Sequence, residues 1–149
     1  MKTLTKEMQN AITPSMALDL LKEGNKRFVN NLKVNRNLLQ QANETSDGQH
    51  PFAVILSCID SRTSAELIFD QGLGDVFSVR IAGNIINEDI LGSMEFGCKV
   101  AGSKIIVVLG HTKTSPKPWS NISSAEVRLS MQLSITAWHF AFLWLMSSF

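Results

Sequence analysis

Three short apolar segments, separated by helix-like segments, most constrain the fold of this 149-residue chain. Residues 52–58, FAVILSC, form a continuous apolar run, which is typical of a strand buried on both faces. Further strands are predicted at 75–80 and 104–110, and helices at 63–71 and 87–102 lie between the strands. The order βαβαβ predicts an α/β fold, with a mostly parallel sheet, right-handed crossovers and helices on its faces.

Local signals predict how the connecting segments begin and end. Thr63 and Glu66 have the spacing of a capping box, which predicts a helix start at this point. Asn87 is a residue type that caps helices well, and it precedes the second helical segment. Residues 32–50 are rich in asparagine, glutamine and other polar residues, and this composition predicts a surface arm or loop.

Side chains with useful chemistry follow all three predicted strands. Cys58, Asp60 and Arg62 follow the first strand, residues 82–84 (Ala-Gly-Asn) follow the second, and His111 follows the third. Ligands of such sheets bind beyond the carboxyl ends of the strands. A thiolate, a carboxylate and an imidazole at one edge are plausible zinc ligands, and Arg62 is close enough to orient the carboxylate of Asp60.

Structural interpretations of the same residues stay open. A cysteine or a histidine at a strand end more often packs than binds metal, and an aspartate–arginine pair usually fixes a loop. Cys98 lies in an apolar helical pattern and is interpreted as a core residue. A cysteine phosphatase loop would need arginine at position 64, where the chain has Ser64. The segment 72–77, GLGDVF, lacks the third glycine of a dinucleotide-binding fingerprint and precedes a strand.

Composition excludes some classes of function. The formal net charge is +1 and the basic residues are scattered, so we expect no nucleic-acid binding. The first ten residues lack an apolar core, so we expect them not to be a secretory signal. The chain has two cysteines, which we interpret as thiols in a reducing compartment, and the expected location is therefore cytoplasmic.

Taken together, these motifs resemble the β-class carbonic anhydrases. The likeness covers roughly residues 15–113. It rests on stretches that occur in the family's order, namely LLKEGNKRF at 20–28, Cys58-x-Asp60-x-Arg62, the turn Arg80-x-Ala82-Gly83-Asn84, Glu95, and VVLG before His111.

The resemblance implies a lyase, carbonate dehydratase, which reversibly hydrates carbon dioxide to bicarbonate with a bound zinc ion, Zn²⁺. It implies Cys58 and His111 as zinc ligands, and Asp60 and Arg62 as the catalytic dyad. In some family members the aspartate moves onto the metal in an inactive state, so Asp60 is also a candidate metal ligand. A zinc site near a dimer interface, in a homodimer or a higher homo-oligomer, is implied as well.

The chain departs from the family's pattern after the histidine. The family's motif is His-x-x-Cys, but Thr114 stands where the cysteine is expected. A neutral hydroxyl is a poor replacement for a thiolate ligand. We therefore divide the chain into a carbonic-anhydrase-like zinc domain at 1–113, incomplete at its C-terminus, and an atypical apolar tail at 114–149. Carbon dioxide hydration is expected to be weak or absent, and the alternatives are a non-catalytic remnant or an interaction module.

The tail also differs from the preceding residues in composition. No glycine follows Gly110, and all three tryptophans lie beyond it. This change favours a shifted reading frame or another recent disruption of the C-terminal part. Residues 131–146, MQLSITAWHFAFLWLM, are apolar but are interrupted by polar residues. We expect this segment to pack against the sheet or to promote aggregation rather than to contact a membrane.

Overall fold

The chain forms a parallel sheet with helices on both of its faces. The computed structural model describes residues 3–111 and the backbone of 141–147. Its elements are α1 (Lys6–Ala11), α2 (Pro14–Val29), α3 (Leu38–Glu44), β1 (Ala53–Ser57), α4 (Ala65–Ile68), β2 (Val76–Arg80), a 3₁₀ turn (Ala82–Asn84), α5 (Glu88–Glu95), a π-helical turn (Phe96–Val100), β3 (Ile105–His111) and β4 (Ala141–Ser147). The strand order is β2-β1-β3-β4, and every pairing is parallel. The predicted α/β fold is confirmed.

β1 lies between β2 and β3 and is covered on both faces. All five of its residues are buried. Ile55 belongs to a core cluster that includes Leu21 of α2, whereas Leu56 packs on the opposite face in a cluster that includes Met94 of α5. This central position explains why the sequence of β1 is apolar without alternation.

The helix after β1 begins differently from the sequence-based prediction. The capping box predicted at Thr63 and Glu66 is wrong, because Ser64 is the residue that precedes α4. The hydroxyl of Thr63 instead donates to the backbone oxygen of Asp60 at 2.9 Å. Glu66 accepts a hydrogen bond from the Ser78 hydroxyl at 2.6 Å. Thr63 therefore stabilises the loop that follows β1 rather than the helix.

The polar segment 32–50 is not only a loop, because it contains α3 and a buried arginine. Arg36 Nη1 lies 2.6 Å from Oδ1 of Asp70, and Arg27 Nε contacts the other carboxylate oxygen at 2.5 Å. The side chains of Arg36 and Asp70 are only 6% and 3% exposed. Burial of these charges is tolerated because they are paired, and the ion cluster fastens the segment to the end of α4.

Helix α1 is attached to the sheet through one buried side chain. Gln9 Nε2 donates to the backbone oxygens of Pro51 at 2.7 Å and Ala101 at 2.9 Å. Pro51 precedes β1, and Ala101 precedes β3. The Gln9 carboxamide thus joins the segments that enter two neighbouring strands.

The far C-terminal segment adds a fourth strand. β4 pairs in register with β3, from Ile105↔Ala141 to His111↔Ser147. The predicted boundary at 113/114 falls in residues 112–140, which lie outside the described part of the chain, as do residues 131–140 of the apolar segment. Within the described residues, no helix has both the length and the hydropathy that crossing a bilayer requires.

Candidate active site

Cys58 and His111 meet at the carboxyl edge of the sheet. Cys58 is the first residue after β1, and His111 is the last residue of β3. Burial raises the pKa of the Cys58 thiol, but hydrogen bonds from the His111 side chain and from the backbone N–H groups of Gly83 and Asp60 outweigh it. The pKa of Cys58 therefore lies below its usual value, and the thiolate is favoured relative to an isolated cysteine.

Asp60 is held by Arg62 through both of its carboxylate oxygens. Arg62 Nε lies 3.0 Å from Oδ1, and Nη2 lies 2.8 Å from Oδ2. The backbone N–H of Arg62 also donates to Oδ1 at 3.0 Å. These hydrogen bonds, together with the guanidinium charge, hold the pKa of Asp60 well below its usual range. Asp60 is therefore ionised and oriented, with its side chain 16% exposed.

Arg80 fixes the backbone of the loop that carries these residues. Its Nε donates to the backbone oxygen of Cys58 at 3.1 Å, and its Nη2 donates to that of Asp60 at 2.8 Å. The sequence alone does not indicate these two hydrogen bonds. The position of Arg80 at the end of β2, beside the end of β1, could have indicated that its side chain reaches the loop after β1.

The turn that follows β2 brings two more residues to the site. Gly83 has φ 67° and Asn84 has φ 55°, so both are in the left-handed region. Gly83 contacts the Cys58 thiol through its backbone, and Asn84 Nδ2 donates to the backbone oxygen of Leu109 at 3.0 Å. The location of residues 82–84 at this edge was predicted from the sequence, but the hydrogen bond between Asn84 and Leu109 was not.

The predicted zinc ligands are only partly suited to hold a metal. Cys58 and His111 lie close enough together to be two of the four ligands of a tetrahedral zinc site. Asp60 is instead paired with Arg62. Among the described residues, no group of three or more histidine, cysteine, aspartate or glutamate side chains is arranged to hold a metal ion. The donors described therefore do not fit a complete catalytic zinc site, which needs three protein ligands.

Cys98, the second of the two cysteines in the chain, is not part of this edge. It lies in the π-helical turn and packs against the cluster that contains Val54 and Leu56. Burial raises its pKa to about 11. The interpretation of Cys98 as a core residue is confirmed, and a cysteine pair at the site is excluded.

Comparison with known proteins identifies the family. Residues 53–115 match the family model described as carbonic anhydrase. Carbonic anhydrase 2 of Mycobacterium tuberculosis is 48% identical over 105 residues, which cover 66% of this chain and 48% of that protein. Carbonic anhydrase of Mycolicibacterium smegmatis is 46% identical over 100 residues, with the same two shares, 66% and 48%.

A solved structure, that of the β-carbonic anhydrase CcaA, is 34% identical with a TM-score of 0.45. The aligned part covers 63% of this chain and 48% of that one. This chain thus spans about half the length of the curated relatives it matches. On its match to the carbonic anhydrase family model and to these curated relatives, beside the paired Cys58 and His111, the chain belongs to the β-class carbonic anhydrase family.

Proposed function

We propose that the carboxyl edge of the sheet is a partial carbonic anhydrase centre, which binds zinc weakly and hydrates carbon dioxide to bicarbonate weakly or not at all. The observation that carries this proposal is the contact of Cys58 with His111 beside the Asp60–Arg62 pair. Zinc, when bound by such ligands, supplies a hydroxide near neutral pH. We expect little activity because the described residues supply fewer than the three protein ligands that a catalytic zinc needs, and because Thr114 stands where the family's cysteine is expected.

The residues have distinct roles in this proposal. Cys58 is a metal ligand because hydrogen bonds favour its thiolate, and His111 is a metal ligand because its imidazole lies against the same sulfur atom. Asp60 accepts a hydrogen bond from a proton-bearing group at the site, and Arg62 keeps that carboxylate ionised and oriented. Asp60 is also the third metal donor if it leaves Arg62.

A non-catalytic remnant is the second candidate, and the incomplete donor set among residues 3–111 favours it. Zinc content separates the two candidates. Purified chain is dialysed against zinc and then against buffer, zinc per chain is measured, and stopped-flow hydration of carbon dioxide is recorded on the same samples. Zinc below one per chain with hydration above background supports a weak enzyme, whereas zinc-free protein without hydration supports the remnant.

Paired cysteine variants provide the matched control. Cys58→Ser removes the proposed ligand, and Cys98→Ser removes the core thiol at a distance from the site's donors. The proposal requires that Cys58→Ser abolishes zinc retention while Cys98→Ser leaves it unchanged. Equal zinc retention in both variants would reject Cys58 as a ligand.

The assembly and the compartment belong to the same proposal. The family resemblance is the basis for a homodimer or a higher homo-oligomer, and the absence of a basic run is the basis for expecting no nucleic-acid partner. We propose a cytoplasmic location on the reducing-compartment interpretation of the thiols. Sedimentation analysis tests the assembly, and cell fractionation tests the location.

A further inference from the structure

Asn84 is a buried side chain that connects the turn after β2 to the end of β3. Its residue is 9% exposed, and the hydrogen bond from its Nδ2 to the backbone oxygen of Leu109 is buried. The other carboxamide atom, Oδ1, is buried and has no hydrogen-bond partner among the described residues. An unpaired buried acceptor is unfavourable, so the hydrogen bond through Nδ2 is what stabilises a carboxamide here.

The same turn contacts Cys58 directly and is connected to His111 through Leu109. Next to Asn84, the backbone of Gly83 hydrogen-bonds the Cys58 thiol. Leu109, which Asn84 holds, lies two residues before His111 on the same strand. One short turn therefore reaches the thiol directly and the imidazole through the strand that carries it.

The hydrogen bond lies where the ladder between β1 and β3 stops. The last pair of that ladder is Ser57↔Leu109, so Gly110 and His111 extend beyond the end of β1. Asn84 follows β2, which lies on the far side of β1, and its carboxamide crosses the end of β1 to reach β3. Asn84 therefore hydrogen-bonds β3 at Leu109, the last residue of β3 that pairs with β1.

We propose that Asn84 is a positioning residue that holds the end of β3 so that the His111 imidazole stays against the Cys58 sulfur. The role matters for activity only if the proposed function holds, but the contact itself can be tested without metal or substrate. The left-handed backbone of Asn84 defines suitable variants. Asn84→Gly keeps that conformation and removes the carboxamide, and Asn84→Asp keeps the shape but removes the N–H donor.

The test is a long-range ¹H–¹⁵N spectrum of the histidine side chains in the metal-free full-length chain. We expect both Asn84 variants to shift the His111 ring signals relative to those of the wild type. Asn87→Ala is the matched control, because Asn87 Oδ1 only caps α5 by accepting from the Ile90 N–H at 2.9 Å. This control should lower thermal stability and leave His111 unchanged. Unchanged His111 signals in a folded Asn84→Gly chain would overturn the proposal.

A measurement on the wild type keeps the proposal testable if the variants do not fold. The Asn84 carboxamide protons should exchange with deuterium at least tenfold more slowly than those of the exposed Asn87. Exchange at equal rates overturns the proposal. A chain in which Asn84→Gly shifts His111, but which neither retains zinc nor hydrates carbon dioxide, supports the positioning role and rejects the proposed function.

Discussion

Gly24 of α2 lies directly against the backbone oxygen of Phe69, which caps the end of α4. A Cβ atom built on Gly24 would be 1.7 Å from that oxygen. The two helices can approach so closely only because position 24 has no side chain. Alanine at this position would favour the helical conformation of α2, but it would also force the helices apart.

Gly24→Ala should therefore destabilise the chain, by about 1 to 3 kcal/mol, because the clash exceeds the gain in helix propensity. Urea unfolding followed by circular dichroism measures the change. Gly92→Ala in α5 is the matched control, since nothing lies within 4 Å of a Cβ built there. It should stabilise the chain by about 0.5 to 1 kcal/mol. A neutral or stabilising Gly24→Ala variant would show that the helices can separate at little cost.

The Asp70 ion cluster predicts a dependence of stability on pH. Burial raises the pKa of Asp70, but hydrogen bonds from Arg27, Arg36 and the Val34 N–H outweigh it and lower the pKa below its usual value. The folded state therefore binds the proton of Asp70 less readily than the unfolded state does. The resulting stability is present above the usual aspartate pKa of about 3.9 and is lost as pH falls through the lower folded value.

Asp70→Asn should cost about 3 to 5 kcal/mol in the free energy of unfolding at pH 7, because it leaves the buried Arg36 without its counter-ion. The difference from wild type should shrink as the pH falls below about 4. Glu23→Gln is the control: it breaks the exposed Glu23–Lys26 pair, which solvent screens, and should leave the free energy of unfolding nearly unchanged. A pH-independent difference for Asp70→Asn would contradict the ionic explanation.

Arg62→Gln should increase the affinity of the chain for zinc. The substitution removes the guanidinium that engages both oxygens of Asp60, and the freed carboxylate becomes a third donor beside Cys58 and His111. Isothermal titration with zinc compares the variant with wild type, and we expect a lower dissociation constant for the variant because a third donor is added. The double variant Arg62→Gln with Asp60→Asn should lose the gain. Weaker binding by Arg62→Gln alone would mean that Arg62 supports the site in another way.

Thr114→Cys should improve zinc retention and leave little hydration of carbon dioxide. The substitution restores the family's His-x-x-Cys spacing after His111, but a catalytic metal also needs supporting residues and a shaped cavity. Pro116 and Pro118, which lack backbone N–H groups, also disfavour a helix directly after the ligand loop. Stopped-flow assays with zinc measured on the same samples test this, and Thr112→Cys, with the wrong spacing, is the control. Near-complete activity in Thr114→Cys would contradict the prediction.

The sheet and its edge could be predicted because they depend on local patterns. An uninterrupted apolar run such as 52–58 identifies a central strand, and parallel strands bring Cys58 and His111 to one edge whatever the loops do. The short spacing between Asp60 and Arg62 likewise limits where the guanidinium can lie.

Contacts between distant residues could not be predicted in this way. Arg80 reaches the backbone oxygen of Cys58 across 22 positions, and Arg36 reaches Asp70 across 34. The partners of both arginines come together only after the strands and helices pack: the Arg36 side chain becomes buried against Asp70, whereas Arg80 stays exposed and reaches the loop after β1. The capping box predicted at Thr63 was wrong for a related reason: the Thr63 hydroxyl donates to the backbone oxygen of Asp60 in the loop after β1 instead of capping the helix.

The hydrogen bonds of the Gln9 carboxamide affect the order in which segments of the fold detach from the sheet during acid unfolding. Its hydrogen bonds to Pro51 and Ala101 join neutral groups, so they carry no proton-linked free energy and persist at a pH that protonates Asp70. Acid should therefore release the Arg36 segment before it releases α1. The two Gln9 hydrogen bonds are thus a neutral attachment of α1 to the sheet, whereas the attachment of the Arg36 segment is ionic, and acid should weaken the ionic one first.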